Sequence, residues 1–152
     1  MIRKALIGDV KAIQSLINGY ADQGQMLPRS LNDLYENVRD FSIYEEGSAI
    51  AGVCALHISW EGLAEIRSLA VIKGKTKQGI GKSLVNESLR EAEYLGADRV
   101  FVLTYQELFF RSLGFSPVDK KELPHKIWTD CLHCVKFPNC DESALIINLP
   151  RS

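Results

Sequence analysis

Val71-Ile72-Lys73-Gly74-Lys75-Thr76-Lys77-Gln78-Gly79-Ile80-Gly81-Lys82-Ser83-Leu84-Val85 is the stretch from which the rest of the chain can be laid out. Residues 68–72 form an apolar run that reads as a strand. Beyond the turn, Ile80, Leu84, Val85 and Leu89 recur at helical spacing. Between the two lies a segment rich in glycine and lysine. Gly79 and Gly81 carry no Cβ, so a ligand can approach the backbone closely there. The first N–H groups of the helix have no internal acceptor and lie at the positive end of its dipole. Such a turn suits a phosphate group, and Lys75, Lys77 and Lys82 add positive charge. The plain alternative is a solvated glycine turn. A P-loop is excluded, because Ile80-Gly81 follows Gly79 where Lys and Ser or Thr are required. A dinucleotide fingerprint is excluded by the missing third glycine.

Working outward, residues 63–72 and 49–60 read as strands, with turns at Glu61-Gly62 and Glu46-Gly47-Ser48, and residues 41–45 as a third. Upstream, Ser30 caps a helix whose stripe is Leu31, Leu34, Tyr35 and Val38, with Asp33 in the position of a weaker capping box. Before Gln23 to Pro28, Asp9 is placed to cap a helix with Val10, Ile13, Leu16, Ile17 and Tyr20 on one face. Residues 2–6 form a first short strand. Downstream, the helix from Gly79 ends at Leu95, with Gly96 as its C-cap. A buried strand at 99–103, a helix at 107–113 stopped by Gly114, and a strand at 115–118 follow. Residues 119–143 show little periodicity, and 145–149 form the last strand. Hairpins come first and β-α-β units second. The expected fold class is α+β, a central mixed, mostly antiparallel sheet flanked by helices.

Composition narrows the partners. One domain is expected from 152 residues, and 46% hydrophobic residues suffice for a core. A net charge of -1 gives no reason to expect nucleic acid or an acidic membrane surface. No apolar run reaches the length of a membrane span, and the N-terminus lacks the apolar stretch of a signal peptide. Four cysteines in that setting point to reduced thiols and a cytoplasmic location.

Strand, basic turn, G-x-G and helix, placed after a hairpin, resemble the pyrophosphate loop of the GCN5-related N-acetyltransferases (GNAT), which reads Q/R-x-x-G-x-G/A. Thr76 stands here at the first position of that motif. The element order is similar to that family's fold as well. Within it the chain resembles the acetyltransferase domain of bacterial N-acetylglutamate synthases. The resemblance is carried by Gln23-Gly24 through Arg29-Ser30, Phe41-Ser42-Ile43, Cys54-Ala55-Leu56, Glu65-Ile66-Arg67-Ser68-Leu69-Ala70-Val71, Phe101-Val102-Leu103-Thr104, Gly114-Phe115-Ser116-Pro117-Val118-Asp119 and Leu123-Pro124.

That resemblance implies one N-acetyltransferase domain over 1–152. Its reaction would move acetyl from acetyl-coenzyme A to the α-amine of L-glutamate, the first step of arginine synthesis. Another small amine, a protein N-terminus, or a non-catalytic coenzyme A sensor are the alternatives. The arginine-binding, kinase-like domain that many synthases carry is not expected in a chain of this length. After Pro124 the basic stretch of the synthases is replaced by a cysteine-rich segment. The expected partners are small molecules, with room for a homodimer.

Implied cofactor contacts are Leu69 and Val71 on the strand, then Thr76, Lys77, Gln78, Gly79, Ile80, Gly81, Lys82 and Ser83. Amine acetylation needs a base for the ammonium and benefits from a proton for the leaving thiolate. Glu65 matches the synthases' catalytic glutamate; by position alone it is an exposed strand carboxylate facing Arg67. Thr104 or Tyr105 is the candidate acid, or else a hydroxyl that caps the next helix. Phe110 occupies the place of the tyrosine that many acetyltransferases use and cannot donate a proton. Arg29 and Arg67 are the candidate carboxylate binders, or solvated surface groups. Cys131, His133, Cys134 and Cys140 offer four soft ligands to zinc. The preferred reading has no metal, since a second C-x-x-C is missing and His133 is crowded between two cysteines; Trp128 and Phe137 would then pack the loop down. His57 and His125 receive no role.

Overall fold

The computed structural model describes residues 1–26, 28–76, 78–123 and 142–150. The elements are β1 (Ile2–Lys4), α1 (Val10–Ala21), α2 (Leu31–Glu36), β2 (Phe41–Glu46), β3 (Ala49–Trp60), β4 (Leu63–Val71), α3 (Ile80–Leu95), β5 (Arg99–Thr104), α4 (Glu107–Ser112), β6 (Ser116–Pro117) and β7 (Ser143–Asn148). The order matches the sequence expectation. The strands form one seven-stranded sheet in the order β1-β2-β3-β4-β5-β7-β6. The chain divides into two compact units, one of Met1–Leu56 with Ile66–Glu91, the other of His57–Glu65 with Ala92–Ser152.

In the first unit, β1 and β2 pair antiparallel with Ile2 opposite Tyr44, and β2 and β3 with Phe41 opposite Ala55. Val10, Ile13 and Ile17 of α1 pack with Leu34, Phe41, Ile43, Val53, Ala55 and Ala70. The 3.6-residue period of α1 brings these side chains to one stripe. Gly52 on β3 lets α3 lie flat on the sheet. A Cβ there would meet Ile80 Cγ2 at 2.9 Å and Leu84 Cδ1 at 3.0 Å. A glycine inside a strand often marks such an approach, and this contact sets where the start of α3 rests.

In the second unit, β7 pairs antiparallel with β5, Thr104 opposite Ser143, and with β6, Pro117 opposite Leu145. Leu63, Phe101, Leu123 and Ala144 form its core cluster. Phe110 packs edge-on against Phe109 and Phe115, so this ring is core and carries no polar group.

Several local expectations need correction. Asp9 precedes α1, but its side chain makes no cap bond to that helix. Its carboxylate accepts the Leu6 N–H at 2.7 Å and two bonds from Arg3, because a short 3-10 turn at Ile7–Asp9 comes first. Ser30 does cap α2, its Oγ accepting the Asp33 N–H at 3.1 Å. The Asp33 carboxylate does not complete a capping box; it takes bonds from Arg29 and Asn37. Tyr35 is exposed and Val38 falls in a second 3-10 turn, so α2 buries only Leu34 fully. The first strand is shorter than 2–6, and 115–118 contracts to Ser116–Pro117. The last strand begins and ends earlier, at Ser143 and Asn148.

Candidate functional site

The glycine turn is held at both ends within the first unit. The Ile72 N–H donates to Ala51 O at 2.9 Å, and the Tyr20 hydroxyl donates to Val71 O. Lys75 N–H closes a turn onto Ile72 O at 3.1 Å, and Lys75 Nζ pairs with Glu46 at the end of β2. Gly74 and Gly79 have φ of 90° and 82°, a region that side chains other than glycine enter at a cost of roughly 1–2 kcal/mol. A Cβ on Gly79 would meet nothing within 4 Å. The backbone is therefore open on that side, next to the first turn of α3. Ser83 N–H reaches back to Gly79 O at 3.0 Å, and the earlier amides have no acceptor within the helix. Backbone donors, the helix dipole and Lys82 together can hold an anion. Lys77 lies outside the described residues.

A second group of residues in the same unit surrounds Arg29. Its guanidinium sits 5.5 Å from the centre of the Phe41 ring. Nε donates to Asp33 Oδ2, and Nη1 donates to Ser68 Oγ at 3.1 Å. Its backbone is pinned as well: the Arg29 N–H donates to Asn18 Oδ1 at 3.2 Å, and Gln14 donates to the Arg29 carbonyl at 3.2 Å. With its side chain 13% exposed, Arg29 is not a solvated surface arginine. Ser68 is the non-glycine residue with positive φ among the described residues, at 54°. A strand residue in that conformation breaks the alternation of side chains along β4.

Glu65 lies on β4 in the second unit and is 8% exposed, which rules out an exposed strand carboxylate. Thr104 ends β5, and its Oγ1 accepts the Gln106 N–H at 2.8 Å. The hydroxyl closes a turn ahead of α4 and does not cap that helix, whose N-cap is Gln106, and among the described residues its own hydrogen has no acceptor. Tyr105 is 37% exposed. Cys54 is an unsuitable nucleophile: burial pushes its thiol up to about 11, against a weaker opposing effect of the Ser88 hydroxyl that donates to it.

Among the described residues no group of three His, Cys, Asp or Glu side chains could hold a metal ion. Cys131, His133, Cys134 and Cys140, with His125, Trp128 and Phe137, lie outside the described residues. No helix of the described residues is long and apolar enough to cross a membrane.

Sequence reasoning passed over three contributors. Asp33 was legible in principle, since Arg29 and Asp33 are spaced i,i+4. Gly52 had the signal of a glycine within a strand pattern. The Tyr20 hydroxyl on Val71 had none, because 51 residues separate them.

The acetyltransferase (GNAT) family profile matches residues 10–115. An uncharacterized N-acetyltransferase of Chlorobaculum tepidum is 38% identical over 148 residues, which covers 97% of this chain and 96% of that one. The amino-acid acetyltransferase of Mycobacterium tuberculosis is 38% identical over 122 residues, 78% of this chain and 70% of that one. Among solved structures, the N-acetylglutamate synthase of Neisseria gonorrhoeae, complexed with coenzyme A and N-acetyl-glutamate, superposes with a TM-score of 0.91 at 29% identity. That match covers 99% of this chain and 35% of the synthase, so the chain spans about a third of that relative.

Proposed function

The chain belongs to the acetyltransferase (GNAT) family and is an acetyl-coenzyme A-dependent N-acetyltransferase, and on that premise we propose that it acetylates the α-amine of an amino acid, with L-glutamate the favoured acceptor. The supporting observation is the turn between β4 and α3, whose backbone is open at Gly79 beside first-turn amides that have no acceptor within the helix. The pyrophosphate of acetyl-coenzyme A is assigned to residues 76 and 78–83 together with Lys77, and the acyl end to β4 at Leu69 and Val71. Arg29 and Arg67 are assigned to the carboxylates of the acceptor. In this reading the product is N-acetyl-L-glutamate, and the step belongs to arginine synthesis.

Glu65 takes the ammonium proton, directly or through a water, so that the free amine attacks the thioester carbon. The C–N bond forms, the C–S bond breaks, and coenzyme A leaves as the thiolate. Thr104 or Tyr105 donates the proton that thiolate needs. Support for Thr104 is a hydroxyl hydrogen with no acceptor among the described residues, its oxygen accepting from Gln106.

Thiol release from acetyl-coenzyme A across a panel of amino acids tests the reaction. Turnover of L-glutamate is expected; turnover of a different amine alone would overturn the acceptor. Glu65→Gln is expected to lower kcat by about a hundredfold to ten-thousandfold with little change in KM. The loss should shrink at high pH, where the amine is already free. Unaltered kcat at neutral pH removes Glu65 as the base. Gly81→Asp, which sets a carboxylate against phosphate, should abolish coenzyme binding in calorimetry; full affinity would remove the phosphate site from the turn.

A further inference from the structure

A guanidinium has five N–H donors in a fixed planar fork. Arg29 commits Nε to Asp33 and one Nη1 hydrogen to Ser68. One Nη1 hydrogen and both Nη2 hydrogens then have no partner among the described residues. Among the described residues, Nη2 of Arg29 is not a buried atom left without a partner; that atom is Ser59 Oγ. Three donors of a cation whose side chain is 13% exposed are thus left uncommitted among the described residues.

We infer that Asp33 and Ser68 are positioning residues for the acceptor: they orient Arg29 so that its Nη end, and not its Nε edge, receives the substrate carboxylate. The inference rests on the assignment of Arg29 to the acceptor. Asp33 occupies the Nε edge, which removes side-on docking and leaves the Nη2 hydrogens for the substrate. Ser68 stops rotation of the fork about its long axis, and Phe41 supports its face. Ser68 on β4 accepts from Arg29 with its own backbone at a φ of 54°. An ion pair with a half-exposed carboxylate adds little stability, so the arrangement is better understood as orientation than as a fold-holding bond. Orientation acts on substrate binding and leaves the coenzyme turn alone.

The test measures KM for L-glutamate, KM for acetyl-coenzyme A, kcat and Tm for five variants of the full chain. Asp33→Ala should raise KM for L-glutamate about tenfold, the lower end for loss of an outer partner that orients a liganding group. Asp33→Asn should restore most of it, because the amide oxygen still accepts from Nε; Asn37 Nδ2 keeps the Asp33 carbonyl, 2.9 Å away, as its acceptor. Ser68→Ala should raise the same KM about threefold to tenfold, one hydrogen bond's worth, and it leaves α2 untouched should Asp33→Ala fail to fold. Ser30→Ala removes the α2 cap without touching Arg29; Tm should fall while every KM stays put. Arg29→Ala sets the ceiling. The inference is overturned if Arg29→Ala raises KM for L-glutamate while Asp33→Ala and Ser68→Ala do not. It is also overturned if Ser30→Ala moves that KM as far as Asp33→Ala does, which would make α2 stability the cause. An Arg29→Ala enzyme with unchanged KM for L-glutamate would overturn the acceptor assignment itself, and the inference with it.

Discussion

Arg3 and Arg29 lie in the same unit, each beside an aspartate, and they differ in what their guanidinium groups have left to offer. Arg3 donates to Glu45 Oε2 from Nε at 3.1 Å and from Nη2 at 2.9 Å. It donates to Asp9 from Nη1 at 2.8 Å and from Nη2 at 3.0 Å, and to Lys4 O from Nη1 at 3.2 Å. All five of its hydrogens are engaged. Arg29 is the less exposed of the two, 13% against 26%, yet among the described residues it engages only two. A saturated arginine ties β1 to β2 and to the turn before α1. An arginine that is buried, pinned and unsaturated is prepared for something that arrives later. Residue type and local charge do not separate these cases; the donor count does.

The largest expected effect tests the unsaturated member. Arg29→Ala should raise KM for L-glutamate by a factor corresponding to about 2–5 kcal/mol, the scale of a truncated charge pair, with KM for acetyl-coenzyme A unchanged. Arg29→Lys should not recover it, because lysine offers a point charge and no planar fork. Arg3→Ala, in contrast, should leave both KM values alone. If steady-state kinetics give the two alanine variants the same profile, the distinction collapses.

A smaller effect tests the saturated member. Arg3→Ala should destabilise the fold by about 1 kcal/mol, the upper end for partly exposed ion pairs, and lower Tm by roughly 2–4 °C for a chain of this size. A thermal melt equal to that of the unchanged protein would show that the five bonds only replace those made to water.

The smallest effect is in pH. The bond from Arg3, helped by the Leu6 N–H and opposed by burial, holds the Asp9 carboxyl below its ordinary value of 3.8. A depressed carboxyl stabilises the fold above the unfolded pKa, and that contribution is lost as pH falls through the folded one. Melts taken downward from pH 5 should therefore show a loss that Asp9→Asn lacks. Parallel curves for the two proteins would mean that the clasp is not linked to the proton.

The sequence carried the local layer of this protein. Gly47, Gly62, Gly96 and Gly114 read as stops and turns, and all four have positive φ. Bounds of β3 and the end of α3 fell where the pattern placed them. Errors gathered where a polar side chain had a choice of partners within a few residues, as at Asp9 and Asp33, or where an element was too short for a period to show, as at β6.

Element order and the glycine turn were set by the sequence itself, because periodicity, capping and glycine geometry act over neighbours a few residues apart. Tertiary structure alone decided that β7 lies between β5 and β6. It also decided that Glu65 is buried, and that Ser68, 39 residues from Arg29, supplies its hydroxyl. Such partners are chosen by packing between segments remote in the chain, where no spacing rule connects one residue to the other.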